Sequence, residues 1–176
     1  MPALLAVALL FPCSPSPCRA EDAKEALAAV QKLGATVLRD EQDPGKPVTA
    51  VVFTSRKPVT DADLQHLRAF PKLRTLALGG SGKVTAKGLA TVGGLKGLQD
   101  LSLSGVKAVT DESLKHLAKL SDLQRLDLSL TGVGDKGLKH LSGLKRLLSV
   151  TLTLTQVTPQ GVQDLQRALP KAKIIR

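Results

Sequence analysis

A period of 24 to 25 residues runs through most of this chain, and it limits the fold more than any other feature of the sequence. Related copies of one pattern, Leu-x-x-Leu-x-Leu, begin at Val48, Leu73, Leu98, Leu123, Leu147 and Ala172. A fixed period of this length is typical of a solenoid, in which each unit is one supersecondary element stacked on its neighbours. The last copy, Ala172-x-x-Ile175, aligns Ile175 with the inward-facing positions.

Each unit joins a strand pattern to a helix pattern. The Leu-x-Leu end of each copy alternates apolar and polar residues, which predicts a short strand with one buried face. Leu64 and Leu67, like their counterparts in later units, are spaced by three, which fits one face of a short helix. N-cap residues precede these helices, and aspartates that suit the helix dipole occupy the first helical position. The N-caps are Thr60, Thr85, Thr110, Gly134 and Thr158, and the aspartates are Asp61, Asp111 and Asp135.

On these residues the units resemble leucine-rich repeats, close to the L-x-x-L-x-L…V-T-D-x-x-L-x-x-L type of secreted bacterial repeat proteins. The resemblance covers about residues 48–176, as five helical units plus a final strand. It implies an α/β fold: a right-handed leucine-rich-repeat solenoid with a parallel sheet on the concave side and short helices on the convex side. The ladder asparagine of many such repeats is absent, and Thr131 and Thr155 lie nearest to its place.

The residues before the repeats predict a cover for the first strand, because an exposed sheet edge invites wrong pairing. Residues 21–33 favour a short amphipathic helix with Leu27, Val30 and Leu33 inward. Two strands, the first over residues 36–39 and the second beginning at Val48, are expected to follow, joined by a turn. We therefore expect an N-terminal helix and hairpin cap over residues 21–47.

The first 20 residues resemble a secretory signal peptide. An apolar run over residues 3–11 is followed by small residues at Cys18 and Ala20, the −3 and −1 positions of a cut after Ala20. This run is too short to cross a bilayer, so we expect no transmembrane segment. Cys13 leaves a lipoprotein anchor as a second outcome. Both cysteines lie in this segment, so the exported chain, periplasmic or extracellular, is expected to begin at Glu21 without thiols.

No pattern in the sequence predicts catalysis, a cofactor or a metal site. His66, His116 and His140 share one repeat position, and neighbouring helices lie about 10 Å apart, too far for these imidazoles to hold one zinc ion. The glycine-rich stretch at residues 79–83 lacks the order of a phosphate-binding loop, and its glycines suit a tight turn. The G-x-S-x-G motif and a Ser-His-acid constellation in register are also missing. We therefore expect a protein that is not an enzyme.

The register predicts which side chains lie on the concave side of the sheet. They are small and rich in hydroxyl groups, with one charged patch around Arg125. Tight interfaces usually contain Trp, Tyr or Arg anchors, and only Arg125 supplies one here. The resemblance implies a protein partner on this face, whereas a merely solvated sheet is the alternative. The candidate partner-binding residues are Asp100, Ser102, Arg125, Asp127, Ser129, Thr151 and Thr153.

A basic rim supplies a second hypothesis. The chain has a formal net charge of +10, and several basic residues precede the strand starts, so that stacking lines them along one rim. Such a rim fits an acidic polysaccharide or an anionic surface, although solubilising charge produces the same pattern. Nucleic acid is disfavoured because the chain has no Trp or Tyr and three Phe for base stacking. The rim residues are Lys72, Lys96, Lys145, Arg146 and Lys171.

These observations predict an exported, non-catalytic protein-binding module that uses its concave sheet. The alternative is a polyanion or envelope-surface binder that uses the basic rim. Salt dependence separates the two, because binding through exposed charges weakens as ionic strength rises.

Overall fold

The strands of this protein form one sheet whose order follows the chain. The computed structural model describes residues 20–53 and 57–176, so the predicted leader, apart from its last residue Ala20, lies outside these ranges, as does Cys13. The first two strands pair antiparallel as a hairpin, and each later strand pairs parallel with the one before it. The strands are β1 Ala35–Arg39, β2 Val48–Phe53, β3 Thr75–Ala77, β4 Asp100–Ser102, β5 Arg125–Asp127, β6 Ser149–Thr151 and β7 Lys173–Ile175.

Short helices connect the parallel strands. We number the units 1 to 5, and each consists of one strand from β2 to β6 and the helix that follows it. The helices in units 1, 3 and 4 continue into a turn of 3₁₀ helix. The predicted α/β leucine-rich-repeat architecture is confirmed. The helices are α1 Ala20–Lys32, α2 Asp61–Gln65, α3 Ala86–Val92, α4 Asp111–Leu114, α5 Asp135–Leu138 and α6 Pro159–Ala168.

The core is a set of stacked aliphatic ladders. Leu126 in unit 4 is 2% exposed, and the strand register places it between Leu101 and Val150. At the N-terminal end, Val30 of α1 is fully buried as predicted, whereas Leu27 and Leu33 are only partly buried against the core. Ala26 is also buried in this helix, although it was not predicted to face inward.

The last strand is shifted by one residue from its predicted register. Ile174, not Ile175, pairs with Val150 and faces the core, while Ile175 pairs with Thr151 and is 40% exposed. The prediction that Ile175 faces inward is therefore wrong. One residue fewer separates the buried Ala172 from the core position of this strand than in the earlier units, and two adjacent isoleucines left the alignment ambiguous.

The aspartates at the helix starts connect neighbouring units. Asp111 Oδ1 accepts a hydrogen bond of 2.7 Å from the backbone N–H of Gly134, the N-cap of the next helix. Asp135 likewise accepts two hydrogen bonds from Thr158, one from its backbone N–H at 2.8 Å and one from its hydroxyl at 2.6 Å. Asp61 likewise accepts hydrogen bonds from both groups of Thr85. The sequence predicts an interaction of these carboxylates with the helix dipole, and the structure shows that they also connect neighbouring units.

Each connecting aspartate is matched by a glycine at the third helical position of the next unit. A Cβ atom on Gly161 would lie only 2.0 Å from Asp135 Oδ1, so a larger residue would displace the carboxylate. In unit 2, Ala86 replaces the aspartate, and unit 3 then carries Ser113 in place of the glycine. Aspartate and glycine therefore form a matched pair across the unit boundary. The other two pairs are Asp61 with Gly88 and Asp111 with Gly137.

These carboxylates predict that the fold loses stability in acid. Hydrogen bonds from Thr158 lower the pKa of Asp135. Burial raises the pKa of Asp61, but hydrogen bonds from Thr85 outweigh it and leave the pKa lowered. A carboxyl group whose pKa is lower in the folded state stabilises the fold fully above its unfolded pKa of about 3.9, and this contribution disappears as pH falls through the folded pKa.

We therefore expect the urea midpoint of the wild-type protein to fall as the pH is lowered from about 5 to about 2. Asp135→Asn should be less stable at pH 7 and should lose less stability over that range. Glu112→Gln is the control, because Glu112 is exposed and its carboxylate pairs with Lys115, three residues along the chain, rather than with a neighbouring unit. Identical pH profiles for the wild type and Asp135→Asn would contradict the role assigned to this carboxylate.

Candidate functional site

The concave face is the side of the sheet opposite the helices, and strand register arranges its side chains in two rows. Successive side chains of a strand point to opposite faces, so the residues flanking each buried core position belong to this face. The first row contains Thr75, Asp100, Arg125, Ser149 and Lys173, and the second contains Ala77, Ser102, Asp127, Thr151 and Ile175.

An ion pair occupies the centre of the first row. Arg125 Nη2 donates a hydrogen bond of 2.8 Å to Asp100 Oδ2, and Arg125 Nε contacts Asp100 Oδ1. Thr75 adds a weak hydrogen bond of 3.4 Å to Asp100 Oδ2. The hydrogen bond from Arg125 to Asp100, with the attraction between their charges, raises the pKa of Arg125. Asp100 therefore holds the positively charged Arg125 side chain in place, yet 68% of that side chain remains exposed.

A second carboxylate, Asp127, is held by hydroxyl and amide donors. Ser129 donates to Asp127 Oδ1 from its backbone N–H at 2.9 Å and from its hydroxyl at 2.6 Å. Ser102 donates to Asp127 Oδ2 at 3.2 Å. In the described ranges, no ion pair joins Asp127 to a basic residue. The carboxylate is thus oriented by neutral groups at the half-exposed centre of the second row.

A shallow depression of about 270 Å³ brings most of the candidate residues together. Of the candidates, Ser129 contributes through its hydrogen bonds to Asp127, and Thr153 lies beyond the depression. Thr75 and Ser149 also line it. The repeat register placed both on the concave face, but they were not among the candidate partner-binding residues. The candidates that line the depression are Asp100, Ser102, Arg125, Asp127 and Thr151.

The basic rim is partly engaged in local contacts. Lys72 is ion-paired with Asp43 in the hairpin turn. Arg146 Nη1 lies 2.7 Å from Asp122 Oδ1, and Lys145 donates a hydrogen bond of 3.1 Å to a backbone carbonyl in α6. These contacts hold three of the five rim side chains against their own protein. The two rim residues that remain, Lys96 and Lys171, are exposed.

The histidines lie on the helical side, away from the concave face. His66 and His116 are half-buried and His140 is exposed, and each precedes a buried leucine. Over residues 20–53 and 57–176, no group of three or more His, Cys, Asp or Glu side chains is arranged to hold a metal ion. In the same part of the chain, no helix has both the length and the apolar character needed to cross a membrane.

Comparison with known proteins finds similarity to leucine-rich repeats. The family model described as "Leucine Rich repeat" matches residues 119–142. A "Putative adenylate cyclase regulatory protein" of Trypanosoma equiperdum is 39% identical over 71 residues, which are 40% of this chain and 11% of that protein. "F-box/LRR-repeat protein 12" of Mus musculus is 35% identical over 100 residues, which are 54% of this chain and 31% of that protein. The chain thus spans less than a third of the length of either relative.

Solved structures agree on the fold. Internalin C2 from Listeria monocytogenes matches with a TM-score of 0.55 at 19% identity, over 85% of this chain and 71% of that one. One strand and one short helix per 24 or 25 residues, stacked around leucine ladders, define a repeat solenoid. The repeat pattern, the fold and the family model over residues 119–142 agree that this chain is built from leucine-rich repeats. Leucine-rich repeat proteins generally mediate protein–protein interactions.

Proposed function

We propose that this protein is a non-catalytic protein-binding module that receives its partner on the concave face. The observation that carries the proposal is Arg125, a large and exposed side chain fixed by Asp100 at the depression. Arginine is favoured as an interface anchor because its guanidinium donates several hydrogen bonds in a fixed geometry. The ion pair with Asp100 holds this side chain in place before binding, which reduces the entropy lost on association.

Export from the cytoplasm is part of the same proposal. Its support is the leader-like sequence of residues 1–20, with cleavage after Ala20 and a mature chain that begins at Glu21. A binding module without cysteines suits a periplasmic or extracellular setting, where its surface meets partners outside the cell.

Polyanion binding through the basic rim is the weaker candidate. Binding by exposed charges requires side chains that are free to contact phosphate, sulfate or carboxylate groups. Lys72, Lys145 and Arg146 instead contact Asp43, α6 and Asp122. The carboxylates of Asp43 and Asp122 therefore lie among the basic residues of the rim and offset part of the positive charge that a polyanion would meet.

A matched pair of arginines tests the proposal. Arg125→Ala should weaken partner binding by about 1–3 kcal/mol, since an anchor that donates charged hydrogen bonds is lost. Arg146→Ala is the control, because Arg146 is also exposed and also paired with an aspartate, but lies on the rim. Calorimetric titration with a partner isolated by pull-down gives both affinities.

A heparin column supplies the opposing outcome. The proposal predicts that the double change Lys145→Ser with Arg146→Ser alters association rate and salt response more than affinity. If wild-type protein elutes from heparin only at high salt, and this double change abolishes retention while Arg125→Ala preserves it, the rim is the binding site and the concave proposal fails.

A further inference from the structure

Two exposed leucines lie side by side beyond the carboxyl ends of β5 and β6. The backbone N–H of Leu130 donates a 2.9 Å hydrogen bond to the carbonyl oxygen of Thr153, so the parallel register continues past the strands and places Leu130 next to Leu154. Leu130 is 58% exposed and Leu154 is 74% exposed. Neighbouring strands are about 4.8 Å apart, close enough for one apolar side chain to contact both leucines.

The backbone at these leucines adopts a conformation that suits glycine. Leu130 has φ 58° and Leu154 has φ 57°, in the left-handed region that disfavours a Cβ atom. The corresponding residues of units 2 and 3 are Gly80 and Gly105, with φ 68° and 70°. The turn therefore requires the left-handed conformation in four units, but two of them place an exposed leucine there. Neither packing nor backbone geometry accounts for these two side chains.

The leucine pair adjoins the carboxylate of Asp127. Ser129, which donates two hydrogen bonds to that carboxylate, directly precedes Leu130. Three residues of extended chain span about 10 Å, so one short peptide segment can reach both features. Arg125 on the same strand is already paired with Asp100. In the described ranges Asp127 thus presents an oriented negative charge without an ion-pair partner, although the whole chain has a net charge of +10.

We infer that the partner brings a lysine or arginine side chain to Asp127 and an aliphatic side chain onto Leu130 and Leu154. The inference rests on the proposed function and specifies the chemistry of the partner segment. Charge complementarity at Asp127 selects a basic residue. A strongly basic protein attracts acidic peptides in general, so a preference for a basic, aliphatic segment distinguishes this site from non-specific attraction.

The test uses short peptides and NMR of protein labelled at its Leu, Ile, Ala and Thr methyl groups. The probe is a blocked Gly-Leu-Lys-Leu-Gly peptide, and the controls replace its lysine by glutamate or both leucines by serine. We expect the probe to shift the Leu130 and Leu154 methyl resonances saturably, with at least fivefold weaker binding of both controls. Asp127→Asn should remove the preference for lysine over glutamate.

Matched variants separate binding from folding. Leu130→Gly with Leu154→Gly should abolish the probe's effect on the neighbouring Thr151 methyl and leave the thermal midpoint unchanged or raised, since glycine suits both positions. Leu148→Ala, at the opposite end of β6, is the control because Leu148 is also exposed, at 52%, and should preserve binding.

Three outcomes would overturn the inference. The first is equal or stronger binding of the glutamate peptide. The second is a shift of the two leucine methyls with protein concentration alone, which would assign the surface to a second copy of the chain. The third is the absence of shifts at both leucines. Shifts confined to Thr75 and Ala77 would reject this inference while leaving the proposed concave-face function intact.

Discussion

Leu126→Ala should destabilise the protein by about 2–5 kcal/mol. Leu126 is almost fully buried in unit 4, between Leu101 and Val150 of the neighbouring strands. Removal of its isobutyl group loses apolar burial and leaves a cavity in the middle of the ladder, where rigid strands on both sides limit collapse. Urea unfolding monitored by circular dichroism measures this loss, provided that the slope of the unfolding free energy against urea concentration is the same in both proteins.

Leu148→Ala is the matched control for this change. Leu148 directly precedes β6, but its side chain is exposed. Its truncation to alanine should therefore change the free energy of unfolding by less than about 1 kcal/mol. His140→Ala should also have little effect, because the side chain is exposed on the helical side. Equal losses for Leu126→Ala and Leu148→Ala would show that the ladder does not carry the stability assigned to it.

Gly161→Ala should cost about 2–4 kcal/mol although alanine is the better helix former. The new Cβ would lie 2.0 Å from Asp135 Oδ1 and 2.5 Å from Asp135 Cγ. The carboxylate would have to move and lose the two hydrogen bonds that it accepts from Thr158. A hydrogen bond to a charged group contributes about 1.5–3 kcal/mol. The helix propensity of alanine returns at most about 1 kcal/mol. Urea unfolding provides the measurement.

A double-mutant cycle tests the mechanism of that loss. An Asp135→Ala background removes the Oδ1 and Cγ contacts and leaves only Cβ, at 3.2 Å, so Gly161→Ala should cost much less there than in the wild type. Gly143→Ala is the control, since a Cβ at Gly143 meets nothing within 4 Å. If Gly161→Ala costs the same with and without Asp135, the two residues are not a matched pair.

Most of the fold could be predicted because the leucine ladders and N-cap residues carry the same period. The aspartate–glycine pairs were visible in the sequence as well, in the joint replacement by Ala86 and Ser113, but their meaning depends on contacts between units. The register of β7 was mispredicted because Ile174 and Ile175 are interchangeable in an apolar pattern. Only pairing with β6 shows which of them faces the core.

The candidate site was less predictable, because side-chain partners depend on the stacking of units. The sequence placed Asp100, Arg125 and Asp127 on one face, but not the pairing of Arg125 with Asp100 or the support of Asp127 by Ser102. Left-handed φ angles at Leu130 and Leu154 have no signature in a hydrophobic pattern, since leucine rarely adopts them. On the rim, the sequence predicted a row of basic side chains but not the ion pairs of Arg146 with Asp122 and of Lys72 with Asp43.

Site-specific photocrosslinking tests the central claim, binding at the concave face, most directly. A photoreactive residue would be placed at Ser149 in the depression, at Lys115 on the helical side or at Lys96 on the rim, three positions outside the core. Each variant would be irradiated with the isolated partner. We predict a covalent complex from position 149 and none from position 115 or 96. A complex formed from position 96 or 115, with none from position 149, would contradict the account.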